Sequence, residues 1–161
     1  MLAGKGDVIA ANLTVTRSRK KQINFTHSFF QTHEYLLMGK NSKALNKATD
    51  LNNRKLFIQK GKSYQVTAQG LKKAYPKLKI IYFTNSLSFD EIYNKLASGE
   101  FDLTIQDNNL ITTALDYRTD LKKSLQASKR RNISWGVAPE NKKLLNELNT
   151  FIVAERLYKK P

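Results

Sequence analysis

The chain has 161 residues, carries 28 Lys and Arg against 13 Asp and Glu for a formal net charge of +15, and contains no cysteine. That length suits one ordinary domain or two small lobes, and 40% hydrophobic content is enough for a core, which excludes global disorder. Without cysteine there is no disulfide, thiol nucleophile or thiolate metal site. No run approaches the roughly 18 apolar residues of a membrane span, and "MLAGKGDVIAANL" lacks the long apolar core of a secretion signal.

In chain order, "DVIAANLTV" predicts a buried strand after the Gly-rich "GKG", and "INF" and "EYLLMG" predict further extended segments. Residues 40–53 turn to Asn, Lys, Ser and Asp, a connection with one helical turn. "KLFIQKG" is a strand ending in a glycine turn. "SYQVTAQGLKKAY" has helical spacing at Tyr64, Ala68, Leu71 and Tyr75 and stops at Pro76. "LKIIYF" is the next strand. Ser88 and Glu91 form a capping box, Leu87 and Ile92 a hydrophobic staple, and Gly99 ends the helix between them. "FDLTIQD" alternates as a strand, "NLITTALDY" is helical, and "ISWGVAP" is extended. In the terminal helix, Leu144, Leu148, Phe151 and Ile152 define one apolar face. From Lys55 to Tyr117 strand and helix alternate three times, which predicts a parallel α/β sheet.

In such sheets ligands sit beyond the carboxyl ends of strands. Three strand ends therefore become candidates. At the first, Asn12, Thr14 and Arg19 come together: a guanidinium five residues past Thr14 can swing back, and its planar fork binds a carboxylate bidentately. Arg19 could equally belong to a solvated basic turn with Arg17, Lys20 and Lys21. At the second, Gly61, Lys62 and Ser63 open a helix whose N–H groups suit an anion, or Ser63 is an ordinary N-cap. Tyr64 follows directly and is a candidate lining residue. The P-loop spacing is missing. At the third, Asp107 receives a ligand ammonium or caps the helix that starts at Asn108.

The order and spacing of these segments carry a resemblance. "GKGDVIAANLTVTRSRKKQINFTHSFF" resembles the G-x-x-D-hydrophobic stretch with T-x-T-x-x-R of bacterial extracellular solute-binding proteins of family 3. "LNNRKLFIQKGKSY", "LASGEFDLTIQDNNL" and "SWGVAPENKKLLNELNTFI" are similar to later segments of that family. Within it, "IAANLT" and "GKSY" are nearest to the regulatory binding domains of membrane-bound lytic transglycosylases.

The resemblance implies a two-lobed α/β periplasmic-binding fold with mostly parallel sheets. It also implies extracytoplasmic placement, periplasmic or outer-membrane-associated, and a small-molecule ligand, an amino acid or short cell-wall peptide. In members that bind amino acids, the position of Arg19 clamps the ligand carboxylate and that of Thr14 adds hydrogen bonds. The position of Asp107 takes the ammonium, and the turn at Gly61–Ser63 closes from the second lobe. Arg17-Ser18 stands where members have Pro or Asp then Glu, and Ser28-Phe29 where they have Pro-Tyr. The match starts at the third strand of lobe one, so that lobe is expected to be truncated. The expected layout is 1–39 partial lobe 1, 40–53 connection, 54–134 lobe 2, and 135–161 the return strand and terminal helix of lobe 1. An unpaired edge on the strand at Val8–Leu13 then invites pairing with a partner or a second copy.

Other chemistries are disfavoured. His27 and His33 fit no metal spacing, so no metal and no cofactor is expected. No Glu is followed by Ser, the pair that lytic transglycosylase catalytic domains carry, so the chain is read as a binding domain rather than an enzyme, with a murein hydrolase domain or peptidoglycan as partner. Trp135 reads as a packing residue. The charge favours acidic partners in general, nucleic acid, anionic lipid or wall polymer. The cations are dispersed rather than gathered with aromatics on one face, so nucleic acid is not expected.

Overall fold

The structure is a computed structural model that describes residues 6–158, with side chains described through Glu155. Gly4 and Lys5 of the "GKG" turn, the side chains of 156–158 and the final three residues lie outside it. The strands are β1 (Val8–Thr14), β2 (Asn24–Phe25), β3 (Phe30–Thr32), β4 (Glu34–Gly39), β5 (Lys55–Gln59), β6 (Lys79–Phe83), β7 (Thr104–Asp107), β8 (Leu121–Gln126) and β9 (Arg131–Val137). The α-helices are α1 (Tyr64–Ala74), α2 (Phe89–Ala97), α3 (Asn108–Leu115) and α4 (Lys142–Tyr158). Short 3-10 turns occupy Arg19–Lys21 and Ala48–Leu51. The chain divides into two compact units, Met1–Thr32 with Arg130–Pro161, and His33–Lys129.

The second unit is built on β4. Its sequence "EYLLMG" lacks apolar-polar alternation because both faces are covered: Leu36 and Met38 enter one core cluster and Leu37 the other. The first cluster gathers Leu51, Leu56, Ile58, Ala68, Leu78 and Ile105, with Leu71 and Tyr75 of α1 packed on it. The second gathers Ile92, Tyr93 and Leu96 of α2 with Phe101, Ile111 and Ala114. Helix α2 starts as its residues require: Ser88 Oγ accepts from the Glu91 N–H at 3.2 Å, and the Glu91 carboxylate accepts from the Ser88 N–H at 2.7 Å. Leu87, the residue before the cap, packs against the second cluster, to which Ile92 belongs. Gly99, at φ +81, closes the helix.

Strands β5 and β6 pair in parallel, and Leu56 bridges Leu103 in parallel just before β7. The strand–helix alternation from Lys55 to Tyr117 is thus read correctly. The expectation of mostly parallel sheets is not: β4 pairs antiparallel with both β7 and β8, and β9 pairs antiparallel with β1, β2 and β3. The reason is connectivity. Strands β4 and β8 are where the chain enters and leaves the second unit, and β9 is the return strand of the first. Strand β8, "LKKSLQ", has no place in the sequence reading because its lysines mask the apolar positions. Lys122 Nζ is held by the carbonyls of Lys40 and Ser42, both at 2.7 Å.

In the first unit, β9 lies between β1 and the short strands β2 and β3. Trp135 packs between Phe29 and Phe151, with ring centroids at 5.5 and 6.3 Å. Ile152 of α4 is buried, but Phe151, expected on the same apolar face, is 52% exposed and keeps only one ring face against Trp135.

Two glycines differ in what a side chain would meet. A Cβ on Gly39 would sit 2.3 Å from the Leu96 carbonyl oxygen, whereas one on Gly136 would meet the tip of Ile23 at 2.8 Å. Backbone cannot yield as a rotamer can. Gly39→Ala should therefore lower stability by about 1–3 kcal/mol, and Gly136→Ala by clearly less, read from denaturant midpoints. The reverse order would show that β4 can slide on α2.

Candidate functional site

In the first unit, β1 ends at Thr14, which is buried and opposite Ile133 of β9. The chain then tightens into a turn. The Arg19 N–H donates to Thr16 Oγ1 at 3.3 Å, Lys20 N–H donates to the Thr16 carbonyl at 3.0 Å, and the Ile23 N–H closes onto the Arg19 carbonyl at 3.0 Å. This winding carries the guanidinium back over the strand end, where Arg19 Nη1 donates to the Thr14 carbonyl at 2.9 Å. Of the four cations in the turn, Arg17, Lys20 and Lys21 are exposed and Arg19 is not. Burial, and then the charge of Arg131, hold the Arg19 pKa below its usual value. Sequence reasoning passed over Arg131, because it looks like one more member of the Lys129–Arg131 basic run. Asn12 is exposed on β1.

In the second unit, β5 runs into the Gly61 turn, which needs a residue tolerant of φ +86. The Gly61 N–H donates to Gln65 Oε1 at 2.6 Å. Lys62 is exposed. Ser63 occupies the N-cap position of α1 without a side-chain cap bond. Tyr64 begins the helix and packs against the first core cluster, and its hydroxyl donates to Asp107 Oδ2 at 3.1 Å. Burial first, then the Asp107 carboxylate, push the phenol pKa far above its ordinary value, so Tyr64 stays a donor. Asp107 is buried at the end of β7, in the N-cap position of α3, yet its side chain makes no cap bond. The first N–H of α3, from Asn108, goes instead to the His33 carbonyl at 2.9 Å.

Glu34 is the residue that sequence reasoning missed in this unit. It pairs in register with Asp107, is fully buried, and accepts a short hydrogen bond from Thr67 Oγ1. Its signal was visible: one carboxylate in the otherwise apolar "EYLLMG". Each unit thus carries an ionic side chain at a strand end with a neighbour bonded to it, Arg19 with Thr14 in the first and Asp107 with Tyr64 in the second.

Asp102 behaves differently. It takes a fork from Arg54, with Nε at 2.9 Å from Oδ2, and also the Lys55 N–H at 2.9 Å. Burial alone would raise its pKa, but the Arg54 and Lys55 hydrogen bonds outweigh that and hold it below the usual carboxylate value. A carboxyl depressed in the folded state stabilises the fold above its unfolded pKa of about 4 and loses that contribution as pH falls through the folded value. Asp102→Asn should therefore cost stability at pH 7 and much less at pH 2.5; equal losses at both would exclude a charge-based role. Among the described residues no group of three or more His, Asp or Glu is placed to hold a metal ion.

The family profile described as bacterial extracellular solute-binding proteins, family 3, matches residues 1–157. Among curated relatives, membrane-bound lytic murein transglycosylase F of Pseudomonas fluorescens is 26% identical over 144 residues, 89% of this chain and 29% of that protein. The same enzyme of Methylobacillus flagellatus is 29% identical over 136 residues, 84% of this chain and 29% of that protein. The chain thus spans under a third of the length of these relatives. Among solved structures, holo ArgBP from T. maritima superposes with a TM-score of 0.81 at 24% identity, covering 99% of this chain and 67% of that one. The substrate binding protein of an amino acid ABC transporter gives 0.82 at 22%, covering 97% and 67%.

Proposed function

Because the chain belongs to the bacterial extracellular solute-binding proteins of family 3 and has the periplasmic-binding-protein fold, we propose that it is a non-catalytic recognition domain for a small zwitterion, an amino acid or a short cell-wall peptide. Arg19, with Thr14, takes the carboxylate, and Asp107, oriented by Tyr64, takes the ammonium. Asn12 and the Gly61–Ser63 turn with Lys62 add polar contacts. One observation carries this reading: within a basic turn, only the Arg19 guanidinium is drawn inward, bonded to the Thr14 carbonyl. A fork anchored by one N–H and still offering others suits a bidentate acceptor.

The transglycosylase relatives favour a sensor role, in which ligand binding regulates an attached or partner murein hydrolase in an extracytoplasmic setting. A transport receptor is the second reading, favoured by the amino acid transporter protein among the structural neighbours. Isothermal titration with the standard L-amino acids and purified muropeptides tests the shared claim, on this chain and on a form extended to the length of the solved relatives. Heat with at least one ligand is expected. Silence from both forms rejects recognition of zwitterions. A muropeptide that also changes the activity of a joined transglycosylase domain selects the sensor; a free amino acid that does not change it selects the receptor.

A further inference from the structure

We propose that the end of the second unit opposite the Gly61 turn docks on an anionic lipid surface, held there by five lysines, Lys43, Lys47, Lys55, Lys77 and Lys79. Strands β5 and β6 run in parallel, so Lys55 and Lys79 open them at the same end and stand side by side in register. Helix α1 connects the two strands and returns the chain to that end, where the Asn53 N–H donates to the Lys77 carbonyl at 3.2 Å. Arg54 brings in Lys43, with Nη1 donating to the Lys43 carbonyl at 2.9 Å, and Lys47 opens the 3-10 turn that leads into β5. All five lysines are exposed.

This placement works against the fold. Like charges side by side on neighbouring strands repel, and among the described residues none of the five lysines forms an ion pair. The nearby acids are committed elsewhere: Asp102 holds Arg54 and the Lys55 N–H, and Asp50 holds the N–H groups of Asn46 and Lys47. Lys72 and Lys73 differ. They lie in the last turn of α1, where cations suit the helix dipole, and Lys72 Nζ donates to the carbonyls of Pro76 and Leu78, both at 2.7 Å.

Charge is also polarised along this unit. From Lys43 to Lys79 it holds ten Lys and Arg against one acid, and from Ile80 to Leu121 two against seven. That asymmetry turns the basic end toward a negative surface. Lysine suits lipid headgroups, because a compact charge on a flexible stem attracts many phosphates without the planar fork that selects one. The exposed residues among the lysines include Asn46, Ala48, Asn53 and Pro76, all small or polar, so the contact is electrostatic and inserts no large apolar side chain. The Gly61 turn follows the far end of β5, so docking leaves it open.

Flotation of the full chain with vesicles of phosphatidylglycerol and phosphatidylcholine in equal parts, and with vesicles of phosphatidylcholine alone, tests this. Binding to the anionic vesicles only is expected, falling as salt rises. Lys55→Gln combined with Lys79→Gln should weaken it by about tenfold or more, while the melting temperature holds or rises because a like-charge pair is relieved. Lys142→Gln combined with Lys143→Gln, exposed at the start of α4, removes the same charge elsewhere and should weaken binding by no more than about twofold. Equal losses from the two double variants leave net charge as the cause and overturn the proposal, as do binding to neutral vesicles and no binding to anionic ones. Inorganic polyphosphate that displaces the chain fully at the phosphate concentration of the vesicles overturns it too, because the occupant is then a soluble polyanion.

Discussion

Arg19→Ala should abolish measurable zwitterion binding, a loss of about a hundredfold or more in Kd by titration calorimetry. Each hydrogen bond from a guanidinium to a carboxylate contributes roughly 1.5–3 kcal/mol, and a bidentate pair supplies two. At about 1.4 kcal/mol per decade, even the lower figure for both bonds gives two decades. Arg19→Lys keeps the charge but lacks the fork and cannot hold both the Thr14 carbonyl and a ligand in one plane, so most of the loss should remain. Arg17→Ala and Lys21→Ala serve as controls, because both side chains are exposed in the same turn. They should change Kd by no more than about twofold, the scale of surface charge effects. If all three alanine variants bind alike, the inward turn of Arg19 is only a local cap on the end of β1.

The largest expected stability effect lies in the second unit. Leu56→Ala should cost about 2–5 kcal/mol, read as a lowered denaturant midpoint with unchanged slope. Leu56 is fully buried in β5, in parallel register with Ile80 on one side and bridged to Leu103 on the other. Truncation opens a cavity between two strands that β5 holds in place, where little can collapse into it. Val66→Ala on α1, where the side chain is 57% exposed, is the matched control and should stay within about 0.5 kcal/mol. A small loss at Leu56 would mean that the β5–β6 layer is loosely packed.

Several parts of this architecture were legible locally. The Ser88–Glu91 box and the Gly99 stop depend on contacts about three residues apart, and both stand where the sequence places them. The turn at Gly61 follows from a strand running into a helix. Strand β8 was invisible because its lysines face carbonyls and solvent, and only the register with β4 makes "LKKSLQ" a strand. Phe151 was misplaced because helical periodicity gives a face but not the width of what covers it.

The candidate site divides in the same way. Residue types and spacing marked Thr14, Arg19, Gly61, Ser63, Tyr64 and Asp107 as strand-end chemistry, since strand ends and turns are written in a few neighbouring residues. Whether Arg19 joins its basic neighbours in solvent or bends back to Thr14 depends on a turn stabilised by Thr16 and on burial of the guanidinium, and the like charge it then faces, Arg131, lies more than a hundred residues away. The pairing of Glu34 with Asp107, and of Asp107 with Tyr64 rather than with its own helix, is likewise set by which strands and helices lie side by side. The chain by itself determined most of its elements and the cap and stop of α2, because these follow from short-range sterics and hydrogen bonding. Tertiary structure alone decided strand direction, burial and hydrogen-bond partners, because those depend on distant segments meeting.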